Sequence, residues 1–260
     1  MAEVIVLPTP HEAGAFVAAH IAKRVELDPT FTLGVATGST PLPVYEALRA
    51  QADAGVDFSR MSAFALDEYI GLPAGHPESY RAVVEREVTI PLGLDPAAVH
   101  VPDGSGADIE SAGDRYEHAL IEHGGVDLQL LGIGRTGHLG FNEPGSSFGS
   151  LTRVKTLTEQ TRIDNARFFN GLDEVPIHCV TQGLGTILRA RHLVLLAFGE
   201  GKADAVAAAV EGPVTASMPA SAIQLHGHVT VVLDPAAASG LAYREYYQLA
   251  QERKPDWQGI

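Results

Sequence analysis

The chain alternates short apolar runs with amphipathic stretches almost from end to end, and this alternation constrains its fold more than any other feature. The stretches between the runs, such as HEAGAFVAAHIAKRVELD and ADIESAGDRYEHALIEHGG, place apolar residues three and four apart. The runs themselves are VIVL (4–7), FTLGVAT (31–37), MSAFALDEY (61–69), VDLQLLGIG (126–134), HLVLLAFG (192–199) and HVTVVLD (228–234). Repeated strand–helix–strand units predict an α/β fold in which helices cover both faces of a largely parallel sheet.

Composition and charge limit the classes of protein that the chain can belong to. It has 260 residues, of which 45% are hydrophobic and 19% charged, with no evident linker or repeat, so we expect one domain over residues 1–260. The sequence shows neither a secretory leader nor an apolar run long enough to span a membrane, which favours a cytoplasmic location. The net charge of -14 argues against nucleic acid or an anionic membrane as a partner, but local cations can still bind a small phosphorylated ligand.

The sequence gives little support for metal or disulfide chemistry. Cys179 is the only cysteine, which excludes an internal disulfide and favours a role as a small hydrophobic residue. His226 and His228 could share one face of a strand and bind a metal, but no third ligand is evident nearby. We therefore expect no metal.

In parallel sheets, ligands bind where the carboxyl ends of the strands meet the following loops, and two such ends carry groups suited to an anion. After FTLGVAT come Gly38, Ser39 and Thr40, with a helix predicted to begin near Pro41. Free backbone N–H groups and two hydroxyls there form an anion site, although an ordinary helix cap is the alternative. Lys202 lies in the first turn of another predicted helix, an unfavourable place for a cation, which suggests an anionic partner or a solvated lysine.

A third strand end carries two adjacent carboxylates, Asp67 and Glu68. Adjacent residues on a strand point to opposite faces, so one of the two can enter a cleft while the other does not. A carboxylate in that position is a candidate general base, and a solvated loop charge is the alternative.

The fourth strand end is the segment LLGIGRTGHLGFNEPG, residues 130–145. Gly132, Gly134 and Gly137 fit the dinucleotide-binding pattern G-x-G-x-x-G, but further glycines and a proline follow where that pattern needs a long helix. The glycines can instead let a tight loop carry His138 and Glu143 into a pocket, where the carboxylate could orient the imidazole. A surface histidine and a solvated glutamate are the alternative.

Several long segments together resemble the glucosamine-6-phosphate deaminases over roughly residues 30–235: ATGSTP, LDEYIGL with HPESY, GIGRTGHLGFNEPGS, TRVKTLT with NARFF, and GKADAVAAAVEG. The resemblance implies a modified Rossmann-like, doubly wound fold. It also implies an aldose–ketose isomerisation with deamination, which converts glucosamine 6-phosphate and water to fructose 6-phosphate and ammonia without a cofactor.

Two other functions stay open at this point. The 6-phosphogluconolactonases share the sheet and a similar histidine loop, but as a family they lack the FNEP continuation found at residues 141–144. A non-catalytic sugar-phosphate sensor is the alternative from another class. Such a sensor would normally carry a DNA-binding module, and no basic helix-turn-helix is evident in the sequence.

The resemblance also implies a role for individual residues. Asp67 matches the base that moves a proton from C2 to C1 of the sugar, and His138 matches the acid that opens the sugar ring, with Glu143 orienting it. Thr136 stands where the family usually has Asp, less often Asn, and a threonine can hydrogen-bond but supplies no charge. The residues that match the phosphate ligands are Gly38, Ser39, Thr40, Arg167 and Lys202.

The resemblance also bears on regulation and assembly. Some family members are hexamers activated by N-acetylglucosamine 6-phosphate at a subunit interface, through residues that resemble Ser146, Arg153 and Lys155. These three residues lie beside the predicted active-site loop, so a structural role is the alternative. A homo-oligomer is therefore a possible but open expectation.

Overall fold

The computed structural model describes residues 2–255 and 258–260, and a seven-stranded sheet forms its centre. Its strands are β1 (Glu3–Val6), β2 (Thr32–Val35), β3 (Ser62–Ala65), β5 (Val99–His100), β6 (Leu128–Gly132), β9 (His192–Ala197) and β10 (Val229–Leu233). They lie in the order β1-β10-β9-β6-β2-β3-β5, and every neighbouring pair is parallel. The predicted parallel sheet is confirmed.

A second, antiparallel sheet consists of β4 (Asp67–Tyr69), β8 (His178–Thr181) and β7 (Arg153–Thr156), in that order. The prediction of one continuous strand over residues 61–69 is wrong, because the chain leaves the main sheet after Ala65 and enters the small one at Asp67. Leu66 between them donates its N–H to Val35 and accepts from the N–H of Gln182, so it links the two sheets. Asp67 consequently lies at the junction of the sheets.

Helices cover both faces of the main sheet, as the doubly wound fold requires. Along β9, Leu193 and Leu195 pack into one hydrophobic core, while Val194 and Leu196 pack into the other. The helices α1, α2 and α3 with α4 lie on the second of these faces, and α5, α7, α8 and α9 on the first. The helical bounds are α1 (Pro10–Leu27), α2 (Leu42–Asp53), α3 (Tyr80–Val84), α4 (Ile90–Leu92), α5 (Ile109–Glu122), α6 (Glu159–Asn165), α7 (Leu184–Ile187), α8 (Ala203–Val210) and α9 (Arg244–Glu252). None of the helices in the described residues is long and apolar enough to cross a membrane.

The strand order reverses between β2 and β6. From β2 the chain proceeds outward through β3 to β5, and then returns to the other side of β2 with β6 before it continues to β9 and β10. The loops after β2 and β6 therefore leave the same edge of the sheet beside each other. A crevice at such a reversal is the usual ligand site of an open α/β sheet.

Glu117, on α5, ties the small sheet to the helical layer. Its carboxylate is buried, with the residue 6% exposed, and it accepts the backbone N–H of Thr152 at 2.8 Å and the hydroxyls of Thr152 and Thr186. Arg189 completes the group as an ion pair. Burial opposes ionisation, but the hydrogen bonds outweigh it and lower the pKa of Glu117. This carboxylate fixes the residue that precedes β7.

We expect Glu117→Gln to lower the free energy of unfolding by about 1–3 kcal/mol at pH 7, because several donors lose their charged acceptor. Since the folded-state pKa lies below the usual value, the contribution is present above that value and is lost as the pH falls through the lowered one. The deficit should therefore shrink in acid. Urea unfolding at pH 7 and pH 4 measures it, with exposed Glu122→Gln on the same helix as the control; equal stability of the two variants at pH 7 would contradict the assignment.

Candidate active site

The loop after β6 brings together the three side chains that the sequence singled out in it. The Nδ1 atom of His138 lies 3.2 Å from Oε1 of Glu143, and Thr136 Oγ1 lies 3.0 Å from the same nitrogen. The imidazole crosses directly over Gly134, where a Cβ atom would come within 2.2 Å of Nε2. The loop then reverses through a short antiparallel bridge between residues 139 and 142 rather than entering a helix. This geometry contradicts a dinucleotide-binding turn and supports the histidine-bearing loop.

The hydrogen bonds of Thr136 define the tautomer of His138. The Thr136 hydroxyl donates its only proton to Oε2 of Glu143 at 3.0 Å. Its oxygen can then only accept from the imidazole, so Nδ1 of His138 carries a proton. Nε2 then carries no proton in the neutral ring, and no hydrogen bond from the described residues occupies it.

The carboxylate of Glu143 is held by hydroxyl groups from two segments. Besides Thr136, the hydroxyls of Thr158 and Thr161 both contact Oε1, Thr158 at 3.3 Å. Burial opposes ionisation of Glu143, but hydrogen bonds and charge from His138, together with the Thr161 and Thr136 hydroxyls, hold its pKa at about 2. Glu143 is therefore a fixed negative charge beside the imidazole.

Asp67 and Glu68 are both buried, each 5% exposed, but their carboxylates have opposite surroundings. Glu68 accepts three backbone N–H groups, its own neighbour Tyr69 at 2.8 Å, Tyr80 at 2.8 Å and Arg81 at 2.9 Å. It thereby anchors the start of α3. Its acceptor capacity is used by the scaffold, so the free carboxylate at this strand end is that of Asp67.

The carboxylate of Asp67 accepts no hydrogen bond from the residues that the structure describes. It faces the loop after β6, because a Cβ built on Gly140 would lie 3.2 Å from its Oδ2 atom. Burial and, second, the charge of Glu68 raise the pKa of Asp67 to about 8. A buried carboxyl without donors is a much stronger base than one in water.

Replacing Asp67 should stabilise the protein at alkaline pH. The folded-state pKa lies above the unfolded one, so the contribution of this carboxyl is complete below the unfolded pKa and is lost as the pH rises through about 8. Asp67→Asn removes the buried charge and should raise Tm at pH 8.5 by several degrees while changing it little at pH 4. Thermal unfolding at both pH values tests this, with exposed Asp114→Asn as the control. A lower Tm for Asp67→Asn at pH 8.5 would contradict the free, desolvated carboxylate.

The loop after β2 has the features of an anion site rather than of a side-chain cap. Pro41 is the residue before α2, and no side chain caps that helix. Gly38 has a φ angle of 87°, a conformation that suits glycine and that turns the chain toward Ser39 and Thr40. The Thr40 side chain approaches the strand β6, within 3.7 Å of a Cβ built on Gly132. The alternative of an ordinary cap by Ser39 or Thr40 is wrong.

Three cations lie near this crevice. Lys202 directly precedes α8, and its Nζ donates to the carbonyl of Ile133 at 2.7 Å, which joins the β9 end to the β6 loop. Burial lowers the pKa of Lys202, the charges of Arg135 and Arg167 lower it further, and the charge of Asp164 opposes them. None of the three cations forms an ion pair within the described part of the chain. Unpaired cations close together in a chain of net charge -14 are suited to binding an anion.

The residues considered for regulation lie on the loop after β6 and on β7. Ser146 is buried, and its hydroxyl donates to the carbonyl of Glu143 at 2.7 Å, so it stabilises the loop that holds this carboxylate. Arg153 and Lys155 lie on β7, the edge strand of the small sheet. The regulatory role of all three residues stays a prediction.

The histidines of the HGH segment do not converge on a common point. The ring of His226 is held between two main-chain carbonyls, at 2.8 Å from His228 and 2.7 Å from Ala190. The ring of His228 stacks on His192 with centroids 3.7 Å apart. Among the described residues, no group of three or more His, Cys, Asp or Glu side chains is arranged to hold a metal.

Sequence reasoning missed three residues of this site. Arg135 lies inside the glycine-rich segment but belongs to no pattern that signals a phosphate ligand. Thr158 and Thr161 form a pattern typical of the start of a helix, and Thr158 is indeed the cap of α6. The roles of Thr158 and Thr161 depend on their contacts with Glu143, a residue distant in sequence, and no local spacing encodes these contacts.

A doubly wound sheet whose strand order reverses beside a histidine–carboxylate pair and several cations is typical of enzymes that act on small phosphorylated metabolites. The chain belongs to the family of glucosamine-6-phosphate isomerases and 6-phosphogluconolactonases, which it matches over residues 9–232.

Individual relatives fall on both branches of that family. Glucosamine-6-phosphate deaminases of Streptomyces avermitilis and Streptomyces coelicolor are each 60% identical to this chain over 99% of its length and 100% of theirs. A solved structure of a monomeric glucosamine-6-phosphate deaminase is 40% identical and superposes with a TM-score of 0.89, covering 92% of this chain and 100% of the other. The 6-phosphogluconolactonase of Trypanosoma cruzi, 20% identical with a TM-score of 0.76 over 93% of this chain and 97% of its own, shares the fold.

Proposed function

We propose that this protein is a glucosamine-6-phosphate deaminase that converts glucosamine 6-phosphate and water to fructose 6-phosphate and ammonia. The observation that carries the proposal is the buried, unbonded carboxylate of Asp67 facing the loop of His138 and Glu143. An isomerisation needs a base at a carbon atom, together with a separate acid at the ring oxygen. The relatives that share 60% of the sequence carry the deaminase name, whereas the likeness to lactonases is one of fold.

Ring opening is the step assigned to His138. In its protonated form, Nε2 gives a proton to the ring oxygen of the sugar as the bond from that oxygen to C1 breaks, and the C1 hydroxyl releases its proton to water, which yields the open-chain aldehyde. Nδ1 keeps its hydrogen bonds to Thr136 and Glu143 throughout, and the ionised Glu143 stabilises the charged ring. Thr136 participates as a hydrogen-bonding group that contributes no charge of its own.

Proton transfer between carbons is the step assigned to Asp67. The aldehyde acidifies the hydrogen on C2, and the carboxylate removes it while the aldehyde oxygen takes up a proton from water, which gives an enolamine. Return of the proton to C1 leaves an iminium group at C2, to which water adds before ammonia departs and the ketone forms. The raised basicity of Asp67 makes this removal easier than it would be for a carboxylate in water.

The remote phosphate provides binding rather than chemistry. Ser39 and Thr40 offer hydroxyls and Gly38 a main-chain amide, while Lys202 and Arg167 supply positive charge. Binding energy from a group that does not react positions C2 and C1 against the acid and base. The sugar phosphate thus spans the crevice between the loops after β2 and β6.

We expect the purified protein to release ammonia from glucosamine 6-phosphate, and Asp67→Asn to lose both this activity and solvent hydrogen exchange at C2. The amide has nearly the same shape but is a poor base, so ligand binding should be retained. Ammonia release and NMR exchange in heavy water are the two measurements. Hydrolysis of 6-phosphogluconolactone without ammonia release would favour the lactonase alternative, and unchanged C2 exchange in the variant would remove Asp67 from this role.

Arg167→Ala should raise KM for glucosamine 6-phosphate about 10- to 100-fold, because it deletes a charged phosphate partner. Its effect on the slow reaction of unphosphorylated glucosamine should be small. Steady-state kinetics with both sugars measure the difference, and Arg60→Ala, an exposed arginine before β3 at the opposite end of the strands, is the matched control. Equal losses for the two sugars would contradict a phosphate contact.

The proposed reaction does not determine how the protein assembles or whether it is activated. The relative of 40% identity is a monomer. Activation by N-acetylglucosamine 6-phosphate through Ser146, Arg153 and Lys155 stays a prediction.

A further inference from the structure

At the start of α6, a series of hydrogen-bonded hydroxyl groups leads to the carboxylate of Glu143. Thr158 Oγ1 lies 3.0 Å from Thr161 Oγ1, and the Thr161 hydroxyl donates to Oε1 of Glu143. Thr158 also accepts the backbone N–H of Thr161 at 3.2 Å, which fixes its position as the helix cap. The carboxylate beside His138 is thus bound to a helix that follows it by more than a dozen residues in sequence.

The protons available to each group determine which hydroxyl donates and which accepts in this series of hydrogen bonds. Glu143 is ionised and can only accept, so Thr161 must donate to it, and the Thr161 oxygen then accepts from Thr158. Hydrogen bonds in such a series polarise one another in a buried setting. Thr161 is 4% exposed, so its hydroxyl has little water available as a substitute partner.

The same oxygen of Glu143 that receives these hydroxyls faces the imidazole. Oε1 lies 3.2 Å from His138 Nδ1, while Oε2 is bound by Thr136. Rotation of the carboxylate would break the His138 contact, and the hydroxyls of Thr161 and Thr158 oppose that rotation. The second carboxylate that the resemblance leads one to expect is replaced here by Thr136, so Glu143 is the sole anion beside this histidine within the described residues.

We propose that Thr161, supported by Thr158, is a positioning residue for proton transfer at His138, an assignment that rests on the proposed deaminase function. By fixing Oε1 of Glu143 against Nδ1, the two hydroxyls keep the imidazole in one tautomer and stabilise its protonated form. The first turn of α6 therefore contributes to ring opening without contacting the sugar.

The deciding experiment compares Thr161→Val, which keeps the shape but removes the hydroxyl, with Thr161→Ser, which restores it. We expect kcat/KM of Thr161→Val for glucosamine 6-phosphate to fall about tenfold and its alkaline limb to move down by roughly half a pH unit, because the imidazolium loses support. Thr161→Ser should recover most of both. The same substrate and buffers must serve for all proteins, since the substrate phosphate titrates near neutrality.

The direction in which the alkaline limb shifts distinguishes a positioning role of Thr161 from two other roles. If Thr161 only competes with His138 for Glu143, its removal leaves a more available carboxylate and the alkaline limb moves upward. If Thr161 only satisfies a buried site, stability falls and the limb stays in place. Either result overturns the proposal.

A second measurement does not depend on activity. Long-range proton–nitrogen NMR spectra should show His138 of the wild type protonated at Nδ1, and Thr161→Val should average the two tautomers. Thr158→Ala should act in the same direction but more weakly, whereas Thr9→Ala, which removes the threonine cap of α1, should leave the His138 signals unchanged. Unaltered His138 signals in Thr161→Val contradict the proposal, while a wild-type protein that releases no ammonia contradicts the proposed function itself.

Discussion

The parallel pairing of β2 with β6 is the interaction on which the remaining structure depends. Leu33 and Leu128 pair at this junction with both faces of the sheet buried, and the two strands lead to opposite halves of the fold. Both strands end at the same edge, so the hydroxyl-rich loop of one lies against the histidine loop of the other. Without this reversal, Thr40 would not reach Gly132 and the crevice would not exist.

Four buried carboxyl groups show how hydrogen-bond donors decide what an acid does. Glu68 receives main-chain amides, while Glu117 and Glu143 receive mainly hydroxyls and a cationic or imidazole partner. These three carboxylates are acceptors whose capacity the scaffold or His138 uses. Asp67 is equally buried but receives no such donor, and its pKa moves in the opposite direction from those of Glu117 and Glu143. Its desolvation creates the basicity that proton removal from carbon needs.

The fold and the general location of the site could be predicted from the sequence, because apolar periodicity and strand-end position are local signals. The break at Leu66 could not, since neither glycine nor proline marks it and the reason lies in partners from β2 and the segment after β8. The tautomer of His138 and the role of Thr161 were equally hidden, because both depend on side-chain contacts across segments. Pattern reasoning finds which strand ends carry chemistry; long-range contacts decide which of the residues there remain free.

The position of β1 has a consequence for the order in which the chain folds. Within the described residues this strand pairs with β10 alone, in a register that joins Glu3 to Thr230. All the other strands of the sheet lie between these two partners in sequence, so β1 stays unpaired until β10 has been synthesised. The central strands can assemble earlier without it. The amino terminus is thus expected to join the sheet in the last folding step, and until then to be a binding site for chaperones.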